Sequence, residues 1–289
     1  MDLMALKAHR FEPQRIRYSF RDTILYALSV GVGADPLCPR QLRLTYEKGL
    51  VALPTMAGVL AHPGAWIANP AFAVNFLKLL HGEQNLTVHR SLPAEGEVAA
   101  TYRVVAVVDK GRDKGALVYF EKVLTDVATG ERYATVASTL FLRADGGCGS
   151  FGSAPAALPP EPLGPPARAA DKSFVADLKT SVGAALLYRL NGDLNPIHVD
   201  PAAAAKAGFE RPILHGMCTW GVAGYLLTRA VCGDDPARLR SFGARFSSPV
   251  YPGETIRVEG TRVDGGVQFR ALVPSRDQVV LSQGFAAID

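Results

Sequence analysis

The chain has 289 residues, of which 48% are hydrophobic and 20% charged, as expected for a globular protein with a sizeable core. Its net charge of +4 comes from 31 basic and 27 acidic residues, without the basic stripe and interleaved aromatics of a nucleic-acid-binding protein. It contains no run of about 18 or more apolar residues, so no membrane-spanning helix is predicted.

Cysteine usage and the chain termini favour the cytoplasm. The four cysteines form no CxxC pair, which favours reduced thiols over a disulfide frame or a zinc site. The N-terminal residues lack the long apolar core of a signal peptide, and the chain closes in GFAAID, without a peroxisomal or retention tripeptide. The sequence therefore predicts a soluble cytoplasmic protein without a nucleic-acid or membrane partner.

The first half, residues 1–145, combines one early helix with several strands. A helix is predicted over about 22–30, with Asp22 as its N-cap and apolar residues at i, i+3 and i+4. Runs rich in Val, Thr and aromatic residues are typical of strands. These runs span 98–109, 115–127 and 131–142.

A linker is predicted over residues 146–172, which contain six prolines and few residues able to fill a core, as in a semi-extended segment. The second half, residues 173–289, opens with a helix predicted over about 181–190 behind Thr180 or Ser181. A longer buried helix is predicted over 216–231. Strand-like runs follow at 255–264, 266–275 and 278–288.

The two halves repeat one another in order. Three short stretches recur at similar intervals, which indicates an internal duplication. The pairs are LYAL (25–28) with LYRL (187–190), LPTMAG (53–58) with RPILHG (211–216), and LPAEGE (92–97) with VYPGET (250–255). Each copy is predicted to be an antiparallel sheet wrapped around one long helix. An isolated copy would expose a sheet edge, so the copies are expected to pair.

One stretch, RLNGDLNPIHVDP over residues 189–201, joins an acid to an imidazole across a helix-breaking sequence. Gly192 favours a chain reversal, and Pro196 pushes the residue before it out of the helical region. A straight helix would turn residues five apart by roughly 500°, onto different faces. A tight loop can instead fold Asp193 and His198 toward one point.

A simpler interpretation is a capped turn, in which Asp193 and Asn195 bond only to the backbone. Gly216 favours the chemical interpretation, because it opens the predicted helix and offers a backbone N–H as an oxyanion donor. Close helix packing is the alternative for Gly216 alone. Together, a carboxylate, an imidazole and a helix-start amide predict proton transfer next to a carbonyl.

The stretch YRLNGDLNPIH (188–198), followed by PILHG (212–216), closely resembles the signature of the MaoC-like 2-enoyl-CoA hydratases, also called hydratase 2. The likeness covers nearly the whole chain and implies the family's two-repeat form, a double hot-dog fold of class α+β. Further matching blocks are YEKGLVALPTMAGV (46–59), HGEQ (81–84), VVDKG (107–111) and RFSSPVYPGET (245–255).

The resemblance implies a role for each matched residue. Asp193 and His198 are similar to the family's catalytic pair, which holds one water, and Asn195 to the loop residue that supports it. Gly216 is similar to the backbone donor to the thioester oxygen. The implied substrate-binding residues are His81, Gly82, Lys110, Leu194, Pro196, Ile197 and Phe246.

The first half is implied to be non-catalytic. Its loop at 31–39 contains Asp35 but no histidine, whereas three of the implied acyl-CoA contacts lie in this half. By resemblance, the second half performs the chemistry and the first shapes the substrate channel. The implied reaction is (R)-specific hydration of a 2-enoyl-CoA in fatty acid and lipid metabolism. No cofactor is implied, because CoA is part of the substrate.

Other functions stay open at this point. A hot-dog thioesterase would use the same fold, and a non-catalytic acyl-CoA or acyl-carrier binding module would tolerate loss of His198. Asp193, His198 and His215 could also form a metal site, although no HxxxH or CxxC motif supports one. Lys110 could be only a charged turn residue. Acyl chain length, the choice between CoA and acyl carrier protein, and a homodimer are not fixed by the sequence.

Overall fold

A computed structural model describes residues 1–156, 158 and 173–289. Within them, ten antiparallel strands form one continuous sheet. The strands are β1 (Gln14–Tyr18), β2 (Leu79–Val88), β3 (Gly96–Asp109), β4 (Ala116–Asp126), β5 (Arg132–Leu142), β6 (Ser173–Lys179), β7 (Leu239–Phe246), β8 (Thr255–Val263), β9 (Gly266–Val273) and β10 (Gln278–Ile288).

Helices and short turns connect these strands. The α-helices are α1 (Leu3–Ala8), α2 (Phe20–Ser29), α3 (Pro39–Leu42), α4 (Ala184–Tyr188), α5 (Pro201–Lys206) and α6 (Gly216–Val231). The 3₁₀ turns span Pro54–Gly58, Trp66–Ala68, Pro70–Phe72, Phe76–Lys78, Arg189–Asn191, Pro196–His198, Pro236–Arg238 and Pro274–Arg276. Among the described residues, no helix is long and apolar enough to cross a membrane.

The strand order confirms the internal duplication. It runs β1-β3-β4-β5-β2 in the first half and β7-β10-β9-β8-β6 in the second, so the same order is read outward from the centre. The halves join where β2 pairs with β7, from Glu83 opposite Arg245 to Thr87 opposite Ser241. Each half thereby covers the sheet edge that the other would leave open.

The second half contains the predicted long central helix, α6, and its observed bounds match the prediction. Glycines let the first half approach this helix closely. A Cβ at Gly221 would lie 2.7 Å from Val30 Cγ1 and 2.8 Å from the Tyr26 hydroxyl oxygen, and one at Gly224 would lie 2.6 Å from Thr55 Cγ2. The core is therefore shared between the halves across one face of α6.

The first half departs from the prediction of a long central helix. Its residues 54–78 form four short 3₁₀ turns instead of an α-helix. Pro63 and Pro70 lack the N–H that a continuous helix requires, and Gly64 adopts a φ of +69°. Ala61, in the left-handed region with φ +47°, lies between the first and second of these turns. The expectation of one long helix in each copy is therefore wrong for the first copy.

Two helix starts also differ from the prediction. Ser19 is the N-cap of α2, and the Ser19 backbone N–H donates a hydrogen bond to the Asp22 carboxylate at 2.7 Å. Asp22 is therefore the third residue of a capping box rather than the cap. In the second half, α4 begins only after Gly183, because a turn closed by the Ala184 N–H on the Ser181 oxygen precedes it, and the Thr180 N–H bonds to the Glu254 oxygen.

The strands predicted from composition are all present, whereas β1, β2, β6 and β7 were not predicted.

The described part of the predicted linker also differs from a semi-extended segment. Phe151 forms an antiparallel bridge with Val107, and the N–H groups of Gly147 and Gly149 donate to the Asp109 carboxylate. This part is packed onto the first half. Residues 157 and 159–172 of the predicted linker lie outside the described residues. All four cysteines are free.

Candidate active site

The acid–imidazole stretch forms two successive turns. The 3₁₀ turn Arg189–Asn191 ends at Gly192, whose φ of +110° reverses the chain at low cost because glycine has no Cβ. The Asn195 side chain then caps the next turn, accepting from the Ile197 N–H at 3.2 Å. Asp193 Oδ1 accepts from the Asn195 N–H at 3.1 Å. The loop is thus locally self-supporting, as the capped-turn interpretation expected.

The same loop also brings the acid and the imidazole together. The candidate ligand atoms of Asp193, His198 and His215 all lie within 4.8 Å of one another. Asp193 is exposed, whereas His198 is only 8% exposed. The loop therefore folds Asp193 and His198 toward one point, as its sequence predicts.

His198 is oriented by a backbone carbonyl. Its Nδ1 lies 2.9 Å from the Ile213 oxygen, and because a carbonyl only accepts, Nδ1 carries the proton. Nε2 is then the ring nitrogen with a free lone pair. Burial lowers the pKa of His198 below its usual 6.5, and the Ile213 and Asp193 contacts oppose this shift. The ring is therefore neutral at pH 7 and suited to act as a base.

His215 contacts both Asp193 and His198. It is fully buried as the N-cap residue of α6, and its Nε2 donates to the Asp193 carbonyl at 3.2 Å. Its ring stacks on His198, with centroids 3.8 Å apart and 26° between the planes. Burial, and then the neighbouring His198, lower its pKa to about 4. Sequence reasoning considered His215 only as a metal ligand, although its place directly before Gly216 was a usable signal.

The geometry does not favour a metal ion at these three residues. His198 Nδ1 and His215 Nε2 each lie against a backbone carbonyl. The remaining ring nitrogens belong to rings that stack with their planes 26° apart, an arrangement unlike the converging ligands of a tetrahedral zinc site. The cluster is better suited to holding and moving a proton.

Gly216 is the first residue of α6 and lies beside this cluster. The first N–H groups of an α-helix have no acceptor within the helix, and the helix dipole adds partial positive charge there. A Cβ at Gly216 would be 3.4 Å from the Phe246 ring, an ordinary van der Waals contact, so close packing alone does not call for glycine here. The amide-donor interpretation fits the position of Gly216 at the start of α6.

The first two residues of α6 line two different pockets. One, of about 440 Å³, is called here the Asp193 pocket, and the other, of about 550 Å³, the His81 pocket. Gly216 lines the His81 pocket, whereas the next residue, Met217, lines the Asp193 pocket. Leu194, Asn195 and Pro196 also line the Asp193 pocket; Gly82, Lys110 and Phe246 also line the His81 pocket. Among the predicted site residues, Ile197 and His198 line neither.

The His81 pocket is built from both halves. The ring of His81, on β2, contacts the ring of Phe246, at the end of β7, with centroids 4.6 Å apart. The buried Nε2 of His81 has no hydrogen-bond partner among the described residues. Gly82 occupies a β-bulge where a Cβ would lie 3.1 Å from the Thr139 carbonyl oxygen, so a larger residue would push this backbone away by a few tenths of an ångström.

Lys110 reaches this pocket from the loop between β3 and β4. Asp109, the preceding residue, fixes the loop by accepting from the N–H groups of Gly149, Gly147 and Gly111 at 2.7–2.8 Å. These three bonds lower the pKa of the Asp109 carboxyl below its usual value. Sequence reasoning missed Asp109, because two of its three partners, Gly147 and Gly149, lie 38 and 40 residues further along the chain.

Comparison with known proteins identifies the family of the chain. Residues 16–144 match the family described as MFE-2 hydratase 2 N-terminal domain, and residues 167–280 match the MaoC like domain. A 3-hydroxyacyl-thioester dehydratase Y from Mycobacterium tuberculosis is 38% identical over 94% of this chain and 93% of its own length. The chain belongs to the MaoC-like hydratase 2 family.

Other members of the MaoC-like family are similar along their whole length. A probable enoyl-CoA hydratase 2 from Dictyostelium discoideum is 33% identical and covers 100% of this chain and 97% of that protein. The crystal structure of a MaoC-like dehydratase from Phytophthora capsici superposes with a TM-score of 0.85 at 30% identity, over 100% of this chain and 99% of that one. The predicted double hot-dog fold is confirmed.

Proposed function

We propose that the chain is an (R)-specific 2-enoyl-CoA hydratase, which adds water to a trans-2-enoyl-CoA to give the (3R)-3-hydroxyacyl-CoA and catalyses the reverse dehydration. The main support is the proximity of Asp193 and His198 to the start of α6, whose first two residues line two different pockets. The names of the relatives, a 3-hydroxyacyl-thioester dehydratase and a probable enoyl-CoA hydratase 2, support the same reaction.

In this proposal, Asp193 and His198 hold and activate the water. His198 Nε2, left as an acceptor because Nδ1 donates to Ile213, takes a proton from a water that also bonds to the Asp193 carboxylate. The hydroxide equivalent then adds to C3 of the enoyl group and a proton is delivered to C2. Neutral His198 suits the base role, because burial disfavours its charged form.

In this proposal, the Gly216 N–H donates a hydrogen bond to the thioester oxygen. Addition at C3 moves negative charge onto this oxygen as an enolate, and a helix-start N–H opposes that charge. One such donor contributes about 3–4 kcal/mol by analogy with other oxyanion sites. The carbon that receives water then lies on the Asp193 side of Gly216, and the sulfur on the His81 side.

The two pockets divide the substrate accordingly. The Asp193 pocket, with Leu194 and Pro196 in its wall, takes the acyl chain. The His81 pocket takes the pantetheine arm, with Gly82, Phe246 and Lys110 as contacts and Lys110 placed for a CoA phosphate. The nucleotide belongs to the substrate, so no separate cofactor is proposed. The free cysteines support action in a reducing compartment such as the cytoplasm, in lipid metabolism.

The test is hydration of crotonyl-CoA, followed as loss of enoyl absorbance, with the product resolved on a chiral column. Release of free CoA is measured in parallel, because a thioesterase would liberate it and a hydratase would not. The expected result is (3R)-3-hydroxybutyryl-CoA without free CoA. A (3S) product, or CoA release without hydration, would overturn the proposal. Binding of the thioester without turnover would favour the non-catalytic binding module.

A further inference from the structure

A lysine occupies a core position on the sheet of the first half. The buried residues of β4 alternate along the strand, and Lys122 takes one of these positions between Phe120 and Leu124, with 2% exposure. Among the described residues, no carboxylate forms an ion pair with it. Burial lowers its pKa to about 7. An apolar side chain would avoid this desolvation penalty, so the lysine calls for an explanation beyond core packing.

The partners of Lys122 are backbone carbonyls of one segment, residues 58–65, called here the strap. Lys122 Nζ donates to the Leu60 oxygen at 2.7 Å and to the Gly58 oxygen at 3.1 Å. The Tyr102 hydroxyl donates to the next carbonyl, that of Ala61, at 2.6 Å. Lys122 and Tyr102 lie directly opposite one another on β4 and β3. Two cross-strand neighbours thus hold three carbonyls of one segment.

These bonds determine the shape of the strap. In an α-helix, the three carbonyls would accept from N–H groups four residues further on. Here side chains of the sheet take them, Ala61 adopts a φ of +47°, and Pro63 contributes no N–H. Trp66, directly after the strap, stacks on Phe120 of β4 with ring centroids 4.8 Å apart. The strap is therefore attached to the sheet at both ends.

The strap forms one wall of the Asp193 pocket. Gly58, Val59, His62, Gly64 and Ala65 all line this pocket. The loop at 193–196, which carries Asp193, lines the same pocket. A change in the position of the strap therefore changes the width of the pocket.

We propose that Lys122 and Tyr102 are positioning residues that set the acyl-chain preference of the enzyme by fixing the strap against the sheet. The proposal rests on the proposed hydratase function. A crotonyl group extends only one methyl beyond C3, so it makes little contact with the strap. A ten-carbon enoyl group extends along the strap, so its binding depends on the position of the strap.

The test compares Lys122→Met and Tyr102→Phe with the wild-type chain on crotonyl-CoA and trans-2-decenoyl-CoA. Lys179→Met, at an exposed lysine of β6, is the matched control. Both test variants should raise KM for decenoyl-CoA about tenfold, as for loss of an oriented hydrogen bond, with kcat little changed. For crotonyl-CoA, kcat/KM should stay within about twofold of wild type. Equal losses on the two substrates would overturn the proposal.

Hydrogen–deuterium exchange gives a readout that does not depend on turnover. Exchange of a peptide covering residues 58–65 should be faster in both test variants and unchanged in Lys179→Met. Unchanged exchange in both test variants would overturn the attachment itself. If the wild-type chain hydrates neither substrate, the proposed function fails, and exchange still judges the attachment. Should Lys122→Met fail to fold, Tyr102→Phe, which removes a single hydroxyl, carries the test.

Discussion

The imidazole rings of His198 and His215 stack with their centroids 3.8 Å apart and their planes 26° from parallel. Each ring also bonds to a different backbone carbonyl near the loop that carries Asp193 and His198. His198 is tied to the Ile213 carbonyl, and His215 is tied to the carbonyl of Asp193 itself. Because His215 is fully buried at the start of α6, the long helix sets the position of the acid relative to the base.

His215→Phe keeps an aromatic ring against His198 but removes the donor to the Asp193 carbonyl. We expect kcat for crotonyl-CoA to fall by about 10- to 100-fold, since a misplaced catalytic group costs rate rather than binding. KM should change little. His89→Phe, which alters an exposed histidine bonded to Thr135, is the control. A His215→Phe enzyme with wild-type kcat would contradict the positioning role.

The acidic limb of the pH profile should lie below pH 6.5. The base form of His198 is needed for proton abstraction, and burial lowers the pKa of this group from its usual 6.5. A lowered pKa means that the neutral ring persists to lower pH, so kcat/KM should fall only when the pH drops below that lowered value. The measurement is kcat/KM for crotonyl-CoA between about pH 4.5 and 8. A midpoint above 6.5 would refute the assignment.

Asp193→Asn and His198→Gln should each reduce hydration by about 10²- to 10⁴-fold while the fold is retained. Both groups are assigned to one water, so their effects should not multiply. The double variant should therefore be about as slow as the slower single variant. Circular dichroism and the melting temperature check the fold of each protein. A double variant slowed by the product of the single losses would argue against one shared water.

Lys110→Ala should raise KM for an enoyl-CoA with little change in kcat, because a distant phosphate contact is uniform binding. Asp109→Asn should act in the same direction, since its carboxylate holds the loop through three N–H donors. Lys114→Ala alters the same loop outside the His81 pocket and serves as the control. Neither effect should persist on an enoyl-pantetheine thioester. Equal KM changes on both substrates would exclude the phosphate role.

The sequence predicted those parts of the fold whose signals are local. Helix α6 was recognised from its apolar pattern, and the loop around Asp193 from glycine and proline placement. Strands β2 and β7 lie at the junction of the halves, where their burial does not alternate regularly, so no period-2 pattern marks them. The strap could not be predicted, because the carbonyls that Lys122 holds lie 62 and 64 residues away in the chain.

The division of labour between the halves gives the last prediction, which concerns residues 173–289 alone. This fragment retains Asp193, His198 and Gly216 but loses strand β2, which pairs with β7 and carries His81. It also loses the residues that pack on α6, among them Val30. The fragment should therefore be at least about a hundredfold less active on decenoyl-CoA, and the open edge of β7 should make it self-associate.

Size-exclusion chromatography and the hydration assay check both expectations, with the full chain as reference. The sharper control supplies residues 1–145 in trans. Because the β2–β7 pairing and the packing around α6 are noncovalent, the two pieces should reassemble, which would restore activity and suppress self-association together. A monomeric fragment as active as the full chain on decenoyl-CoA would show that the first half contributes neither pocket wall nor edge protection. That result would also contradict the assignment of His81 and the strap to substrate binding.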